Sequence, residues 1–451
     1  MNINTTIESA TSDQQLALDQ QLDLALVEAR TLYLEKRPGS VSAFNESISF
    51  MPGGNTRTVL FHGPAPLRIV SGSGCQITDA DGFQYVNFLG EYTAGLFGHN
   101  HPVIRRAIDK ALDQGISLSG HNVDEMRLSR LMCERFPSIE LVRFTNSGTE
   151  ANLLAISIAR HATGRGKVMV FQGGYHGGLL YFRNGNMAIN APFDYVLGEY
   201  NNLESVREMI RAHASDLACV LIEPMQGSGG CIPASVEFLG MIREESRKSG
   251  AILIFDEVMT SRLSTGGLQQ VHNIHPDLTT LGKYLGGGMS FGAFGGNKDI
   301  MELFDPTREN AIPHAGTFNN NSLTMAAGAT AMEEVLTNQV LDELNARGEQ
   351  LRLDLNSLSA RYDSCFQFIG IGSLLGLHTT CAGIQNVKDL EKEDDRIMEL
   401  VFLNMLERGY YIVRRGFISL MLTIGNDEIV GFKKAFEDVL TSRGDLFKNT
   451  G

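Results

Sequence analysis

Three things are scarce in this 451-residue chain: long apolar runs, paired cysteines and positive charge. No uninterrupted run of about 18 apolar residues occurs, so no membrane-spanning helix is expected. Residues 1–30 are polar and acidic and lack the basic segment followed by an apolar one that marks a secretion signal. Cys75, Cys133, Cys219, Cys231, Cys365 and Cys381 are scattered, with no CxxC pair and no histidine-rich surroundings, so neither a disulfide framework nor a zinc site is suggested. They read as buried thiols of a cytoplasmic protein, and no metal is expected. The 38 Lys and Arg against 52 Asp and Glu leave a formal charge of -14, with no general pull toward nucleic acid or an anionic membrane. A phosphate loop of the GxxxxGK(S/T) type is also missing, since Gly164-Arg165-Gly166-Lys167 has the wrong spacing. Small metabolites are the expected partners.

What is present is apolar content of 43%, enough over this length for two or three packed units. Leu18, Leu22, Ala25, Ala29 and Leu32 recur at helical spacing and predict a helix over residues 15–37, ending near Pro38. Between Leu67 and Phe88, short apolar pieces flank Asp81-Gly82, which predicts an antiparallel flap. From about Arg143 the pattern alternates strand-length apolar runs (Val168–Phe171, Cys219–Ile222, Ile252–Phe255) with helix-length spacers, the mark of βαβ units on a mostly parallel sheet. Past Thr330 a charged helical stretch to about Tyr362 precedes Gly-punctuated strands near Phe368–His378 and Tyr411–Leu422, a smaller α+β unit.

The chemistry concentrates in three places. Thr145-Asn146-Ser147-Gly148-Thr149-Glu150-Ala151-Asn152 puts hydroxyls and a glycine where a helix begins, and there unpaired N–H groups and the helix dipole favour a phosphate. An ordinary cap by Ser147 or Thr149 explains the same composition. Ala251–Phe255 is an apolar strand that delivers Asp256 and Glu257 at its C-terminal end, the edge of an open α/β sheet where ligands bind. A carboxylate there suits a protonated pyridine nitrogen; magnesium in a nucleotide hydrolase is the rival, and the missing phosphate loop opposes it. A solvated loop is the plain alternative. Lys283 stands among small and apolar residues just before Gly286-Gly287-Gly288; an amine desolvated there would be a nucleophile, whereas most lysines lie on the surface. Tyr175, in Gly174-Tyr175-His176-Gly177, offers a ring for stacking on a planar ligand. Glu223 ends another strand, and Thr317 follows the lysine loop; such residues also fill ordinary turns.

In this order, the phosphate-cap run, Tyr175-His176-Gly177, Glu223-Pro224, Phe255-Asp256-Glu257-Val258 and Gly282-Lys283 resemble the class III aminotransferases over nearly the whole chain. Met51-Pro52-Gly53-Gly54, Asp256–Thr260 and Thr279–Gly288 are similar to the branch holding glutamate-1-semialdehyde aminomutase and the β-amino-acid aminotransferases. Asn55-Thr56-Arg57-Thr58-Val59, Glu91-Tyr92-Thr93-Ala94-Gly95 and Ser290–Gly296 point within it to enzymes of β-phenylalanine type.

The resemblance implies an aspartate-aminotransferase-like fold of type I: an α/β large domain with a mostly parallel central sheet plus a small α+β domain. Residues 1–90 would pack with the small domain, 91–330 would form the large domain and 331–451 the small one. It implies pyridoxal 5′-phosphate as cofactor, Lys283 as the Schiff-base lysine and proton shuttle, and Asp256 as partner of the pyridinium nitrogen. Ser147, Gly148 and Thr149 would hold the phosphate, Thr317 would reach it from a partner subunit of a homodimer, and Tyr175 would stack on the ring. Glu223 would orient neighbouring groups. Arg57 matches the arginine that binds a substrate carboxylate, and Arg415 a second, movable arginine; Arg414 stands where proline is expected, leaving open which of the pair points inward. The implied reaction carries the amino group of a β-amino acid such as β-phenylalanine to a keto acid such as 2-oxoglutarate or pyruvate. An aminomutase, an ω-aminotransferase acting on other amines, and a non-catalytic cofactor-binding protein are the alternatives.

Overall fold

Apolar runs of five or six residues form the strands of the central sheet in the computed structural model, which describes residues 4–448, with side chains from Leu16 onward. Residues 1–3 and 449–451, which belong to the expected terminal segments, lie outside the described residues. The strands are β1 (Leu141–Thr145), β2 (Lys167–Phe171), β3 (Asp194–Gly198), β4 (Leu217–Ile222), β5 (Ile252–Asp256), β6 (Leu278–Gly282) and β7 (Gly292–Gly296). Their spatial order is β1-β7-β6-β5-β4-β2-β3, and β7 alone runs against its neighbours. The chain therefore has the expected α/β architecture around a mostly parallel seven-stranded sheet.

Both faces of the sheet are covered, which is why its central strands β4 and β5 are near-continuous apolar runs rather than alternating. Val168, Val170, Cys219, Leu221, Ile254 and Phe294 pack against the helix Gly148–Thr163. Met169, Phe171, Val220, Ile222, Leu253 and Phe255 pack against Val206 and Ile210 of one helix and Phe238, Leu239 and Ile242 of another. Burying side chains of this size stabilises by roughly 1.5–3 kcal/mol each, so the strand ends are rigid points of attachment. β7 has the composition Gly-Ala-Phe-Gly-Gly and would read as a turn; a Cβ on Gly292 would lie 2.1 Å from the Ser147 carbonyl oxygen, so only glycine admits that approach.

The N-terminal helix runs Asn4–Lys36 and stops before Pro38, which opens a second helix, Pro38–Ser47. Its buried stripe is Leu22, Ala25, Leu26 and Tyr33; Leu32, expected on that stripe, is 40% exposed because Tyr33 completes the spacing from Ala29. The stripe packs on helix Asp395–Glu407, which the sequence reading did not single out. Ile69–Ser73, Gln76–Asp79 and Gln84–Asn87 form the antiparallel flap, and Tyr410–Tyr411 adds a fourth, parallel strand from far along the chain. The Gly-punctuated strands expected near 411–422 are Tyr410–Tyr411 and Phe417–Ser419: Gly416 turns the backbone at φ 73 and sends Phe417–Ser419 into a separate sheet with Gln367–Ile371 and Leu374–His378. The helical stretch expected over 330–362 is likewise divided at Thr337, whose side chain accepts from Val340 N to cap helix Asn338–Arg361. Of the thiols expected to be buried, Cys381 is exposed and Cys133 half-buried. No described helix is long and apolar enough to cross a membrane.

Candidate active site

At one edge of the sheet the C-terminal ends of β1, β2, β4, β5 and β6 deliver Ser147, Tyr175, Glu223, Asp256 and Lys283. Asp256 is buried, and its carboxylate is held from three sides. Oδ2 accepts from Asn152 Nδ2 and from His176 Nδ1, each at 2.8 Å, and Oδ1 accepts from Val258 N at 3.0 Å. Asn152 is itself fixed: its amide also donates to the His176 carbonyl at 3.0 Å and accepts from the Thr280 hydroxyl at 2.7 Å. These supports aim one carboxylate into the site. The roles of Asn152, Thr280 and His176, though all three lie in the runs singled out from the sequence, were not legible there, since nothing local marks a helix asparagine or a strand threonine as a brace.

Lys283 begins the turn after β6 with a left-handed backbone, φ 56, unusual for a lysine. Its Nζ donates to the Tyr92 carbonyl at 2.6 Å. Burial, the largest influence, pushes the amine down to about 8 from 10.5; Asp256 and Glu91 oppose the shift and Arg57 adds to it.

Ser147 does cap its helix, accepting from Glu150 N at 3.2 Å. That ordinary role does not compete with phosphate binding, because the first N–H groups of a helix have no partner inside it, and those of Gly148 and Thr149 are among them. The cradle is tight: a Cβ on Gly177 would lie 2.1 Å from Thr149 Oγ1, and one on Gly148 2.9 Å from Val258.

Glu223 is buried and touches backbone rather than open space. Its two oxygens accept from Tyr175 N at 3.0 Å and Gly227 N at 3.1 Å, bracing the turn that carries Tyr175. Burial pushes its carboxyl up to about 7, against the opposing pull of His176. The Tyr175 ring meets Tyr181 edge-on at 5.4 Å and stays 39% exposed.

Of the two adjacent arginines, Arg415 turns inward. Its Nη2 donates to Ser228 O at 2.6 Å and Ser228 Oγ at 3.1 Å, and among the described residues no carboxylate pairs with it. Burial lowers its pKa and the Arg183 guanidinium adds to the shift, with Tyr92 and Tyr181 opposing it. Arg414 points away, its Nε 3.5 Å from Glu399. Arg57 pairs with Glu91, and its charge reaches Lys283 and Tyr175. Thr317 is not brought to this cluster by its own chain; it is exposed and lines a surface hollow with Leu118, Ser119 and Asn122.

Residues 61–440 match the family model for class III aminotransferases. The chain belongs to this family. Over 425 residues it is 47% identical to the β-phenylalanine transaminase of Variovorax paradoxus, covering 94% of this chain and 98% of that one. The crystal structure of the Variovorax paradoxus β-phenylalanine aminotransferase superposes with a TM-score of 0.94 at 46% identity, over 95% and 100% of the two chains. A glutamate-1-semialdehyde 2,1-aminomutase of Methanothermobacter thermautotrophicus is 34% identical over 417 residues, 89% of this chain and 99% of the relative.

As a class III aminotransferase the protein is a transaminase with pyridoxal 5′-phosphate as cofactor. The residues present fit that group: a desolvated lysine, a braced buried carboxylate and a helix start closed around by Gly177. Only the neutral amine attacks an aldehyde, so the rate at which the cofactor-free enzyme captures pyridoxal 5′-phosphate should climb about tenfold per pH unit and level off near pH 8. A rate still climbing toward pH 10.5, the ordinary lysine value, in rapid-mixing absorbance measurements would show the Lys283 amine to be unperturbed.

Proposed function

We propose that this transaminase moves the amino group of a β-amino acid such as β-phenylalanine to a keto acid such as 2-oxoglutarate or pyruvate. The observation that carries the reading is the position of Arg57, a half-exposed guanidinium paired with Glu91, whose chain neighbour Tyr92 accepts from Lys283 Nζ at 2.6 Å. A planar fork at that place suits a substrate carboxylate held in two-point fashion. The identity of 47% to a β-phenylalanine transaminase supports it. Arg415, half-buried without a carboxylate partner among the described residues, is suited to the carboxylate of the acceptor.

Bound pyridoxal 5′-phosphate supplies an aldehyde that takes up the substrate nitrogen and a ring that accepts the electron pair released when the C–H bond beside that nitrogen breaks. Lys283, whose amine is the one placed at this edge, would take the proton from that carbon and hold it for return. Asp256 holds the ring nitrogen, steadied by Asn152 and His176. Ser147, Gly148 and Thr149 hold the phosphate, and Tyr175 stacks on the ring with Glu223 fixing its turn. In this reading the enzyme is a cytoplasmic homodimer whose Thr317 serves the neighbouring site. Its exposed position beside Leu118 and Asn122 is compatible with that duty. The division into residues 1–90, 91–330 and 331–451 follows the same reading, with the flap of the first segment hydrogen-bonded to Tyr410–Tyr411 of the third.

With 3-amino-3-phenylpropanoate as donor, Arg57→Ala should raise KM by about 10- to 100-fold, the equivalent of a charge-assisted hydrogen bond worth roughly 1.5–3 kcal/mol, with a smaller change in kcat. An unchanged KM would remove Arg57 from carboxylate binding. Release of a free keto acid in the same assay separates transfer from the aminomutase reaction, to which the relative of 34% identity lends weight.

A further inference from the structure

Arg57 does not wait with its charge unpaired. Its Nη1 is paired with a carboxylate oxygen of Glu91, and both side chains are 46% exposed. Glu91 belongs to a turn the chain maintains against its own preferences. Gly90, Glu91, Tyr92 and Thr93 have φ of 52, 52, 50 and 80, a run of left-handed residues of which only the first is glycine. A Cβ on Gly90 would sit 2.6 Å from the Ser419 carbonyl, so the run begins where no other residue fits.

The turn is pinned at both ends. Asn87 Oδ1 accepts from Leu89 N at 3.0 Å and Gly90 N at 3.2 Å. The Tyr92 hydroxyl donates to the Val59 carbonyl at 2.8 Å, two residues beyond Arg57, and the Tyr92 carbonyl accepts from Lys283 Nζ at 2.6 Å. Successive residues thus point one carboxylate at Arg57 and one carbonyl at Lys283. Arg415, the other guanidinium of the site, has no such counter-ion among the described residues.

We propose that Glu91 is a specificity-setting residue that occupies on Arg57 the place of the substrate carboxylate, so that a carboxylate-bearing substrate binds only by displacing it. This rests on the reading of Arg57 as the carboxylate-binding residue. Two consequences follow. Carboxylate substrates bind less tightly than Arg57 alone would allow, which favours release of the product acid. A substrate without a carboxylate meets a neutralised pair instead of a bare guanidinium, so its binding is not penalised by an uncompensated charge. At Lys283 the pair also cancels in part, since Glu91 and Arg57 act on the amine in opposite senses.

The test is calorimetric binding of 3-phenylpropanoate, which has the carboxylate but no amine to react, to the holoenzyme and to its Glu91→Gln, Glu91→Ala and Arg57→Ala variants. Both Glu91 variants should bind it about three- to fivefold more tightly than the unaltered enzyme, the factor a half-exposed ion pair is worth, and Arg57→Ala more weakly. The neutral 3-phenylpropanamide should shift the other way, binding more weakly to the Glu91 variants. A purely structural role for Glu91 would weaken both ligands. Unchanged or weaker carboxylate binding in the Glu91 variants, with Arg57→Ala still weakened, would overturn the proposal and leave the Arg57 reading intact. Indifference of Arg57→Ala would overturn both. Failure of both Glu91 variants to fold would also overturn it, since Glu91 would then be a fold element.

Discussion

Lys283→Ala is expected to lower kcat by at least about 10⁴-fold and to end covalent attachment of pyridoxal 5′-phosphate, because in the proposed function one amine serves as both anchor and proton carrier. No other lysine has been placed at this strand edge. The variant should fold, since it exchanges a desolvated amine for a methyl group at the end of β6. It should still bind the cofactor noncovalently through the helix start at Gly148 and the carboxylate of Asp256. Borohydride treatment followed by mass analysis checks the attachment. A cofactor mass still fixed to the protein would move the covalent lysine elsewhere. Added small amines should restore part of the activity by carrying the proton in place of Lys283, a response that mere distortion of the site would not give.

The second large effect belongs to Asp256. Asp256→Asn keeps the size of the side chain but removes the negative charge that favours a protonated ring nitrogen. It also turns an amide N–H toward Asn152 or His176, both of which donate to the carboxylate. A kcat loss of about 10²–10³-fold is expected, the cost of removing one preorganised electrostatic partner in a buried site. The cofactor absorption spectrum should shift as well, because the charge on the ring nitrogen changes. His176→Ala should give a smaller loss, since Asn152 and Val258 N still hold the carboxylate. A spectrum and kcat indifferent to Asp256→Asn would place the ring nitrogen at another residue.

Much of this site was legible before any fold was known. A strand must end somewhere, and in a parallel sheet its C-terminal end faces the ligand edge. Asp256 could therefore be placed from Ile252–Phe255 alone, and Ser147 from the start of the helical pattern at Ala151. Lys283 gained meaning only in company, because a lysine before three glycines is locally unremarkable. What local pattern could not supply were contacts between distant residues. Asn152 and His176 converge on Asp256 across 104 and 80 positions, and no periodicity records that. Glu223 was visible as a strand-ending carboxylate, but that it grips two backbone N–H groups rather than a ligand depends on where the Tyr175 turn lies.

The sequence by itself determined the fold class, because a sheet covered on both faces needs unbroken apolar strands separated by helix-length spacers, and that pattern is written locally. It also determined the residue types of the site and their order along the chain. Tertiary structure decided the rest. It opened β7 to glycine through the approach of the Ser147 carbonyl, turned Arg415 inward and Arg414 toward Glu399, and set Glu91 against Arg57 on a strained turn. Each of those outcomes depends on which atom of a remote segment arrives within hydrogen-bond or van der Waals reach, and only the packed chain fixes such distances.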